Sequence, residues 1–158
     1  MDLLREKGPS FLQLSPRLWG QMVADVSGRA PNEACGLVAG KGNTCLAVYP
    51  LTNLLHSPTQ YRIDPQEQFE TFQLVEDNGW DLLAIYHSHP LGPPGLSTRD
   101  LAEAFYPQVV YLVWYWSGDE WNCKGFLIQH HEPEEVAIFI KDNKSSQASS
   151  SSSSTSSS

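Results

Sequence analysis

The first periodic pattern along the chain is helical. Three apolar residues recur at intervals of four positions: Leu18, Met22 and Val26. Residues at this spacing lie on one face of a helix. Ser15 is a favoured N-cap residue, and Pro16 is favoured at the first helical position. The pattern therefore predicts a helix that begins at Pro16 and ends at Gly28.

Shorter apolar runs bounded by turn residues predict strands. A run at 34–39 and a second run through Tyr49 flank turn residues at 40–43, which is the arrangement of a β-hairpin. Four later runs are interpreted as further strands: 82–89, 109–116, 122–129 and 136–140. The first two of these four are predicted to be buried.

Two further helices are predicted between these strands. Asp64 and Pro65 repeat the N-cap pattern before apolar residues at helical spacing, up to Gly79. Ser97 opens a third helix that extends to about Phe105. Helices and strands in this order predict the α/β class, with a mixed β-sheet flanked by helices.

Length and composition indicate one folded unit and a tail. The chain has 158 residues, of which 41% are apolar, and this is enough for one domain with a hydrophobic core. Residues 144–158 are dominated by serine, and such a segment cannot bury apolar surface. We therefore predict one domain at 1–143 and a disordered Ser-rich tail at 144–158.

The charge balance excludes one class of partner. Eighteen acidic residues against ten basic residues give a formal net charge of −8, and no cluster of lysine and arginine occurs. Proteins that hold nucleic acid through phosphate contacts need such a cluster. We therefore expect no nucleic-acid partner.

Cysteine usage and hydropathy favour a soluble cytoplasmic protein. The three cysteines are odd in number and form no C-x-x-C pair, which argues against a disulfide framework or a cysteine zinc site. The longest aromatic and aliphatic run, 109–116, is too short to cross a bilayer. Residues 1–10 lack the apolar segment of a signal peptide. We expect free thiols in a reducing compartment and no association with a membrane.

Two histidines and an aspartate are placed to converge. His87 and His89 are two positions apart, so on a strand their side chains point to the same side. Asp100 follows Ser97 by three positions, which puts both on one face at the start of a helix. The Pro/Gly-rich loop at 90–96 suits neither a helix nor a central strand. It lets the helix fold back toward the strand end, and the predicted result is a His, His, Asp set beside a hydroxyl.

This residue set suits catalytic zinc. Catalytic Zn²⁺ sites take three protein ligands from histidine and carboxylate and leave a fourth position for water. The metal lowers the pKa of that water to about 7, and the reaction still needs a nearby base that is not a ligand. Glu33, at the beginning of the first hairpin strand, is our candidate for that base.

The spacing resembles the JAMM motif of the MPN-domain metalloproteases, which is H-x-H, seven residues, S-x-x-D and an upstream glutamate. The residues that match the motif are Glu33, His87, His89, Ser97 and Asp100. Residues 32–37 resemble the glutamate segment of the small bacterial and archaeal members of that family. Residues of their connecting region are also present: Asn53, Tyr61, Asp64 and Pro65. The resemblance extends over residues 14–140.

The resemblance implies a cytidine-deaminase-like MPN fold with a curved mixed sheet. It also implies one zinc held by His87, His89 and Asp100, with Glu33 as the acid/base and Ser97 as the group that stabilises the oxyanion. The implied reaction is hydrolysis of an amide or isopeptide bond at the glycine-rich C-terminal tail of a ubiquitin-like or sulfur-carrier protein. Such a tail can bind as an added strand. The long insertions that larger eukaryotic members use to grip ubiquitin have no counterpart in this sequence.

Each part of the motif also has an interpretation without metal. A histidine on a strand can satisfy a core hydrogen bond, and Ser97 with Asp100 is a capping-box pattern. Glu33 alone can be a solvated carboxylate at a strand end. Their combination at the spacing of the motif favours the metal site. Ser88 is expected to face the opposite side of the strand without a role, and Cys35 is expected to pack in the core near the site.

Three other functions compete with hydrolysis. A non-catalytic MPN scaffold would only bind partners, but such relatives usually lack one or more ligands, and every motif residue is present here. A DNA-associated JAMM-like protein would carry a helical DNA-binding segment upstream and a less acidic chain. A zinc nucleobase deaminase would carry the H-x-E and P-C-x-x-C signatures, which this sequence lacks.

Overall fold

The computed structural model describes residues 4–142. Within that range it contains seven strands and three helices, in this order: β1 (Phe11–Leu14), α1 (Pro16–Arg29), β2 (Cys35–Lys41), β3 (Thr44–Leu51), α2 (Pro65–Asp77), β4 (Asp81–His89), α3 (Thr98–Ala102), β5 (Val110–Trp116), β6 (Trp121–Gln129) and β7 (Glu132–Ile140). The predicted Ser-rich tail at 144–158 lies outside the described residues. In the described part of the chain, none of the helices has the length and apolar character needed to cross a bilayer.

The strands close into a barrel in the order β1-β3-β2-β4-β5-β6-β7. The sheet is mixed, as predicted: β4 is parallel to β5, β1 is parallel to both neighbours, and the other pairs are antiparallel. Closure corrects the predicted curved sheet, because that prediction did not include β1. This strand has four residues, but it pairs with β7 along its length and with β3 at Gln13, and so joins the two ends of the sheet.

The first two helices begin where the sequence pattern predicts. The side chains of Ser15 and Asp64 accept hydrogen bonds from backbone amides in the first turns of α1 and α2. The third helix is shorter than predicted, because α3 ends at Ala102 and not near Phe105. Pro107 follows shortly afterwards, and the residue before a proline is disfavoured in the helical conformation. This keeps residue 106 out of the helix, whereas the end at Ala102 has no local explanation in the sequence.

The hairpin between β6 and β7 corrects the prediction for the last strand. β7 begins at Glu132 and not near residue 136, and Glu132 pairs with Gln129. His130 and His131 form the turn with φ angles of 52° and 64°. Two central residues with positive φ are typical of the type I′ turns of tight hairpins.

α1 is anchored to the sheet just before the chain reaches Glu33. Three apolar residues are buried along one face of this helix: Leu18, Met22 and Val26. Burial of each of these side chains stabilises the folded state by about 1.5–3 kcal/mol. The Tyr86 hydroxyl donates to Asp25 Oδ2 at 2.6 Å, and the Arg29 side chain donates to the Leu51 carbonyl at 2.8 Å. These contacts fix the end of α1 only a few residues before Glu33.

Two hydrophobic clusters lie on the two faces of β4. Tyr86 belongs to the cluster that α1 covers, and Ile85 belongs to the cluster that α2 and α3 cover. Because side chains alternate along a strand, His87 and His89 lie on the face of Ile85, and Ser88 lies on the face of Tyr86. The candidate site therefore forms on the side of the sheet that α2 and α3 cover.

Candidate metal centre

The two histidines converge at the end of β4. His89 is the last residue of the strand, His87 lies two positions earlier, and both are buried. Their Nε2 atoms are 3.1 Å apart, and their ring planes are inclined by 67°. The structure thus brings the two imidazoles together, as the spacing on a strand predicts.

Asp100 joins the two histidines from α3. Its Oδ1 lies 3.1 Å from His87 Nε2, and its Oδ2 lies 3.1 Å from His89 Nε2. The Asp100 carboxylate also accepts from the Ser97 amide at 2.8 Å, and Ser97 Oγ accepts from the Asp100 amide at 3.0 Å. The capping box that the sequence offered as an alternative to a metal site is therefore present, and it directs Asp100 toward the histidines.

Glu33 approaches the histidines from the segment between α1 and β2. It is 4% exposed, and a carboxylate oxygen lies within 4.8 Å of a ring nitrogen of His87 and of His89. The Glu33 amide donates to the Ser57 carbonyl at 2.8 Å. The carboxylate predicted as a base is therefore buried beside the two histidines.

The two carboxyl groups have opposite pKa shifts. Burial raises the pKa of Glu33 to about 7, against a smaller opposing effect of His89. Burial also acts to raise the pKa of Asp100, but hydrogen bonds from His87 and His89 outweigh it and hold that pKa far below its ordinary value. At neutral pH Asp100 is therefore ionised, whereas Glu33 can both accept and release a proton.

The ring nitrogens that face away from Asp100 have different surroundings. His89 Nδ1 donates to the Pro93 carbonyl at 2.9 Å. A carbonyl only accepts, so this bond places a hydrogen on Nδ1, and His89 Nε2 can bind an ion when it gives up the hydrogen that it otherwise donates to Asp100. His87 Nδ1 is buried and has no hydrogen-bond partner among residues 4–142. Burial lowers the pKa of His87, which favours a neutral imidazole.

The donor set fits a zinc ion. Two imidazole nitrogens at about 2.0–2.1 Å from zinc, at a tetrahedral angle, lie about 3.3 Å apart. The observed separations are 3.1 Å between the two Nε2 atoms and 3.1 Å from each of them to an Asp100 oxygen. Imidazole nitrogen and carboxylate oxygen are also the ligand atoms of catalytic zinc. The three groups can therefore share one cation.

Ser97 lies at the rim of this cluster. It is half-buried, and its Oγ accepts the hydrogen bond from the Asp100 amide at 3.0 Å. That bond occupies an electron pair of the oxygen and not the hydroxyl hydrogen. Ser97 therefore retains a hydrogen that it can donate to a substrate oxygen.

Ser88 contributes to the site from the opposite face of β4. It points away from the histidines, as predicted, but its Oγ accepts from the Ala34 amide at 2.8 Å. The Ser88 amide in turn donates to the Ala34 carbonyl at 3.1 Å. These two hydrogen bonds hold Ala34, the residue after Glu33, against the strand that carries the histidines. Ser88 is fully buried between the two histidines, and its position in the sequence carries no signal for this role.

Asn53, Tyr61 and Cys35 also border the site. Asn53 donates to the Glu33 carbonyl at 3.0 Å, and the Tyr61 ring stacks on the His87 ring with centroids 4.6 Å apart. Cys35 is buried and lies opposite His87 in the register of β2 with β4, as expected of a core residue near the site. Burial raises the pKa of its thiol to about 12, so it is not a nucleophile at neutral pH.

The chain is similar to several named peptidases. It is 39% identical over 112 residues to a probable TtuB-protein conjugate cleaving protease from Thermus thermophilus, covering 70% of each chain. It is 30% identical over 127 residues to a desampylase from Pyrococcus furiosus, covering 80% of this chain and 89% of the relative. It is 34% identical over 113 residues to a CysO-cysteine peptidase from Mycobacterium tuberculosis, covering 70% of this chain and 77% of the relative.

Solved structures with the same fold accompany these relatives. The solution structure of a protein from Desulfitobacterium hafniense is 35% identical, with a TM-score of 0.77, covering 84% of this chain and 94% of that chain. A JAB1/MPN domain protein from Archaeoglobus fulgidus shares the fold at 15% identity and a TM-score of 0.53, covering 82% of this chain and 98% of that chain. The model of the Prok-JAB family matches residues 15–141. The chain therefore belongs to this family, the prokaryotic homologs of the JAB domain.

Proposed function

We propose that this protein is a zinc-dependent metallopeptidase that hydrolyses an amide bond at the C-terminal tail of a ubiquitin-like or sulfur-carrier protein. The observation that carries the proposal is the Asp100 carboxylate, which lies 3.1 Å from Nε2 of both His87 and His89. The names of the relatives support the reaction, since they describe a protease that cleaves TtuB-protein conjugates and a CysO-cysteine peptidase.

In this proposal His87, His89 and Asp100 would hold the zinc, and Glu33 would stay outside the ligand set. Glu33 and Asp100 are both close enough to the histidines to be considered as ligands. The distances separate the roles, because an Asp100 oxygen lies 3.1 Å from each Nε2 atom, whereas the Glu33 carboxylate is placed only within 4.8 Å of the ring nitrogens. A carboxyl with a pKa of about 7 also suits a base. When bound, zinc supplies a Lewis acid for the substrate carbonyl and lowers the pKa of a coordinated water.

Glu33 moves one proton in two steps. A carboxylate oxygen of Glu33 accepts a proton from the water that attacks the carbonyl carbon. The same oxygen donates that proton to the departing amine nitrogen as the C–N bond breaks, which restores the carboxylate. Ser97 donates a hydrogen bond from its hydroxyl to the carbonyl oxygen as negative charge develops there. One such donor lowers the activation free energy by about 3 kcal/mol.

The substrate tail would reach the site along the loop that follows β4. Residues 91–94 are exposed, and Leu91 in particular is 73% exposed. An extended tail beside this loop can be held by main-chain hydrogen bonds. Small residues at the end of the tail would let its last carbonyl approach the buried histidines without displacing side chains.

The test uses two adducts of a carrier protein and zinc-loaded wild-type protein. One adduct bears a single amino acid on the carrier tail, and the other joins the tail to a lysine side chain. We expect cleavage of at least one adduct and a loss of more than about 100-fold in kcat for Glu33→Gln. Glu76→Gln, which changes an exposed glutamate on α2, is the control and should cleave as wild type does.

Elemental analysis of the same proteins separates the two kinds of role. Glu33→Gln should retain one zinc, whereas His89→Ala should lose it. Undiminished cleavage by Glu33→Gln would exclude Glu33 as the base, and a full zinc equivalent in His89→Ala would overturn the ligand set. Zinc binding without cleavage of either adduct would favour the non-catalytic scaffold.

Three further expectations from the family resemblance accompany this function. We propose that the sheet is of the cytidine-deaminase-like type and that zinc is the physiological ion. We also propose a cytoplasmic location, which agrees with three free cysteines in the described structure.

A further inference from the structure

The His87 ring lacks the support that the His89 ring has. A metal-binding histidine is normally oriented by a hydrogen bond from its second ring nitrogen. His89 has such a bond, from Nδ1 to the Pro93 carbonyl at 2.9 Å. His87 Nδ1 is buried and has no partner among the described residues, although His87 is only 1% exposed. Within residues 4–142, the His87 ring is therefore oriented by packing contacts and not by a hydrogen bond from Nδ1.

The contact available for this purpose is the ring of Tyr61. Its centroid lies 4.6 Å from the centroid of the His87 ring, and the two planes are inclined by only 19°. A flat ring against the imidazole face opposes rotation of that imidazole about χ2. Neighbouring strands enclose His87 as well, because Cys35 and Val113 lie beside it in register and are both buried.

Tyr61 is itself held by the side chain of Asn53. This side chain donates to the Gln60 carbonyl at 3.0 Å and accepts from the Arg62 amide at 3.0 Å. These two backbone groups lie immediately before and after Tyr61. The position of the Tyr61 backbone is therefore fixed on both sides by one amide group.

The same Asn53 amide also reaches Glu33. Its Nδ2 donates to the Glu33 carbonyl at 3.0 Å, and its Oδ1 accepts from the Leu55 amide at 3.0 Å. Asn53 is 3% exposed, and both its donors and its acceptor oxygen are in use. Only an amide of this size offers two donors and an acceptor at this position. The loop also holds the Glu33 amide, through the Ser57 carbonyl at 2.8 Å.

We propose that Asn53 and Tyr61 are positioning residues for two parts of the centre, the His87 ligand and the Glu33 base. Tyr61 orients the His87 ring in place of a hydrogen bond, and Asn53 fixes Tyr61 and Glu33 relative to each other. Neither residue contacts the reacting atoms in this scheme. The inference rests on the proposed function, because it assumes that His87 binds zinc and that Glu33 transfers protons.

Tyr61 is tested by the affinity for zinc alone, measured by competition with a chelator. Tyr61→Leu removes the flat ring, and we expect zinc to bind about 10–100-fold more weakly, the usual cost of losing support behind a ligand. Tyr61→Phe keeps the ring and should recover most of that affinity. Tyr49→Leu, at another half-buried tyrosine, is the matched control and should bind zinc as wild type does.

Two results for the Tyr61 variants would contradict the stacking role. Wild-type zinc affinity in Tyr61→Leu would overturn the stacking role. A loss in Tyr61→Phe as large as that in Tyr61→Leu would also overturn it, because it would assign the effect to the hydroxyl. A wild-type protein that binds no zinc would overturn the proposed function and this inference with it, whereas normal wild-type binding with unaffected variants overturns the positioning role alone.

Asn53 is tested by steady-state kinetics on the adduct that wild type cleaves. Asn53→Asp keeps the size of the side chain but replaces both donors by an acceptor, so it repels the carbonyls of Glu33 and Gln60. We expect kcat to fall about tenfold or more while KM changes little, because the substrate site stays intact and the base is displaced. Asn78→Asp removes a donor at the exposed end of α2 and should leave kcat unchanged.

A thermal unfolding curve verifies that each Asn53 variant is folded. If Asn53→Asp is unfolded, Asn53→Ser, which is smaller and keeps one donor, is measured in its place. A folded Asn53 variant with wild-type kcat would overturn the role of Asn53. An equal fall in kcat for Asn78→Asp would do the same, since it would make the effect one of general stability.

Discussion

Ser88→Ala should destabilise the fold and slow catalysis, although Ser88 faces away from the histidines. The Ser88 hydroxyl is fully buried and accepts from the Ala34 amide at 2.8 Å. Alanine would leave that amide buried without its side-chain partner, which costs about 1–3 kcal/mol. For a domain of this size, 1 kcal/mol lowers Tm by about 2–4 °C, so a cost of about 2 kcal/mol gives a decrease of about 6 °C.

The assay is thermal unfolding followed by circular dichroism, with Ser10→Ala as the control. Ser10 is exposed, and a surface substitution of this kind changes stability by no more than about 0.5 kcal/mol. Ser88→Ala should also lower kcat, since the freed amide belongs to the residue next to Glu33. A Tm for Ser88→Ala within about 1 °C of that of Ser10→Ala would refute the reasoning about the unsatisfied amide, because the expected difference is about 6 °C.

Three further predictions concern metal, thiols and packing. Zinc at about 100 times its Kd should stabilise the protein by about 2.7 kcal/mol over the chelated form; His89→Ala should unfold at the same temperature with and without zinc. Burial raises the pKa of Cys45 from 9.0 to about 12, so less thiolate forms at pH 8, and an Ellman-type reagent should label Cys45 rapidly only after denaturation. Gly36→Ala should lose about 1–3 kcal/mol in urea unfolding, because the new Cβ would lie 2.4 Å from the Tyr86 ring; Gly20→Ala, with nothing within 4 Å, should be stabilised instead.

The fold was predictable from the sequence where local chemistry decides the structure. α1 and α2 each begin with a capping side chain followed by proline, and both signals act within one turn. β1 could not be predicted in this way. Its four residues pair with residues 137–140, at the other end of the described chain, and no local pattern marks such a partner. Barrel closure follows from that distant pairing.

Part of the candidate site was also predictable from local sequence patterns, and part depends on contacts between distant residues. The two-residue period of a strand places His87 and His89 on one side, and a capping box places Asp100 at the start of a helix. The contacts of Asn53 leave no such trace, because a buried loop asparagine has the same local sequence as an ordinary turn asparagine. Its partners are backbone groups on separate parts of the chain, and only the folded structure reveals them.

The double use of Asp100 links the order of a helix to the state of the metal centre. Asp100 completes the cap of α3, which has only five residues and too little length to be stable alone. Its carboxylate is at the same time shared by both imidazoles. An ion that draws these three side chains together would also hold the first turn of α3 closed. Hydrogen exchange of the amides of 98–102 would then slow on loading with zinc, which makes this helix a reporter of occupancy that needs no substrate.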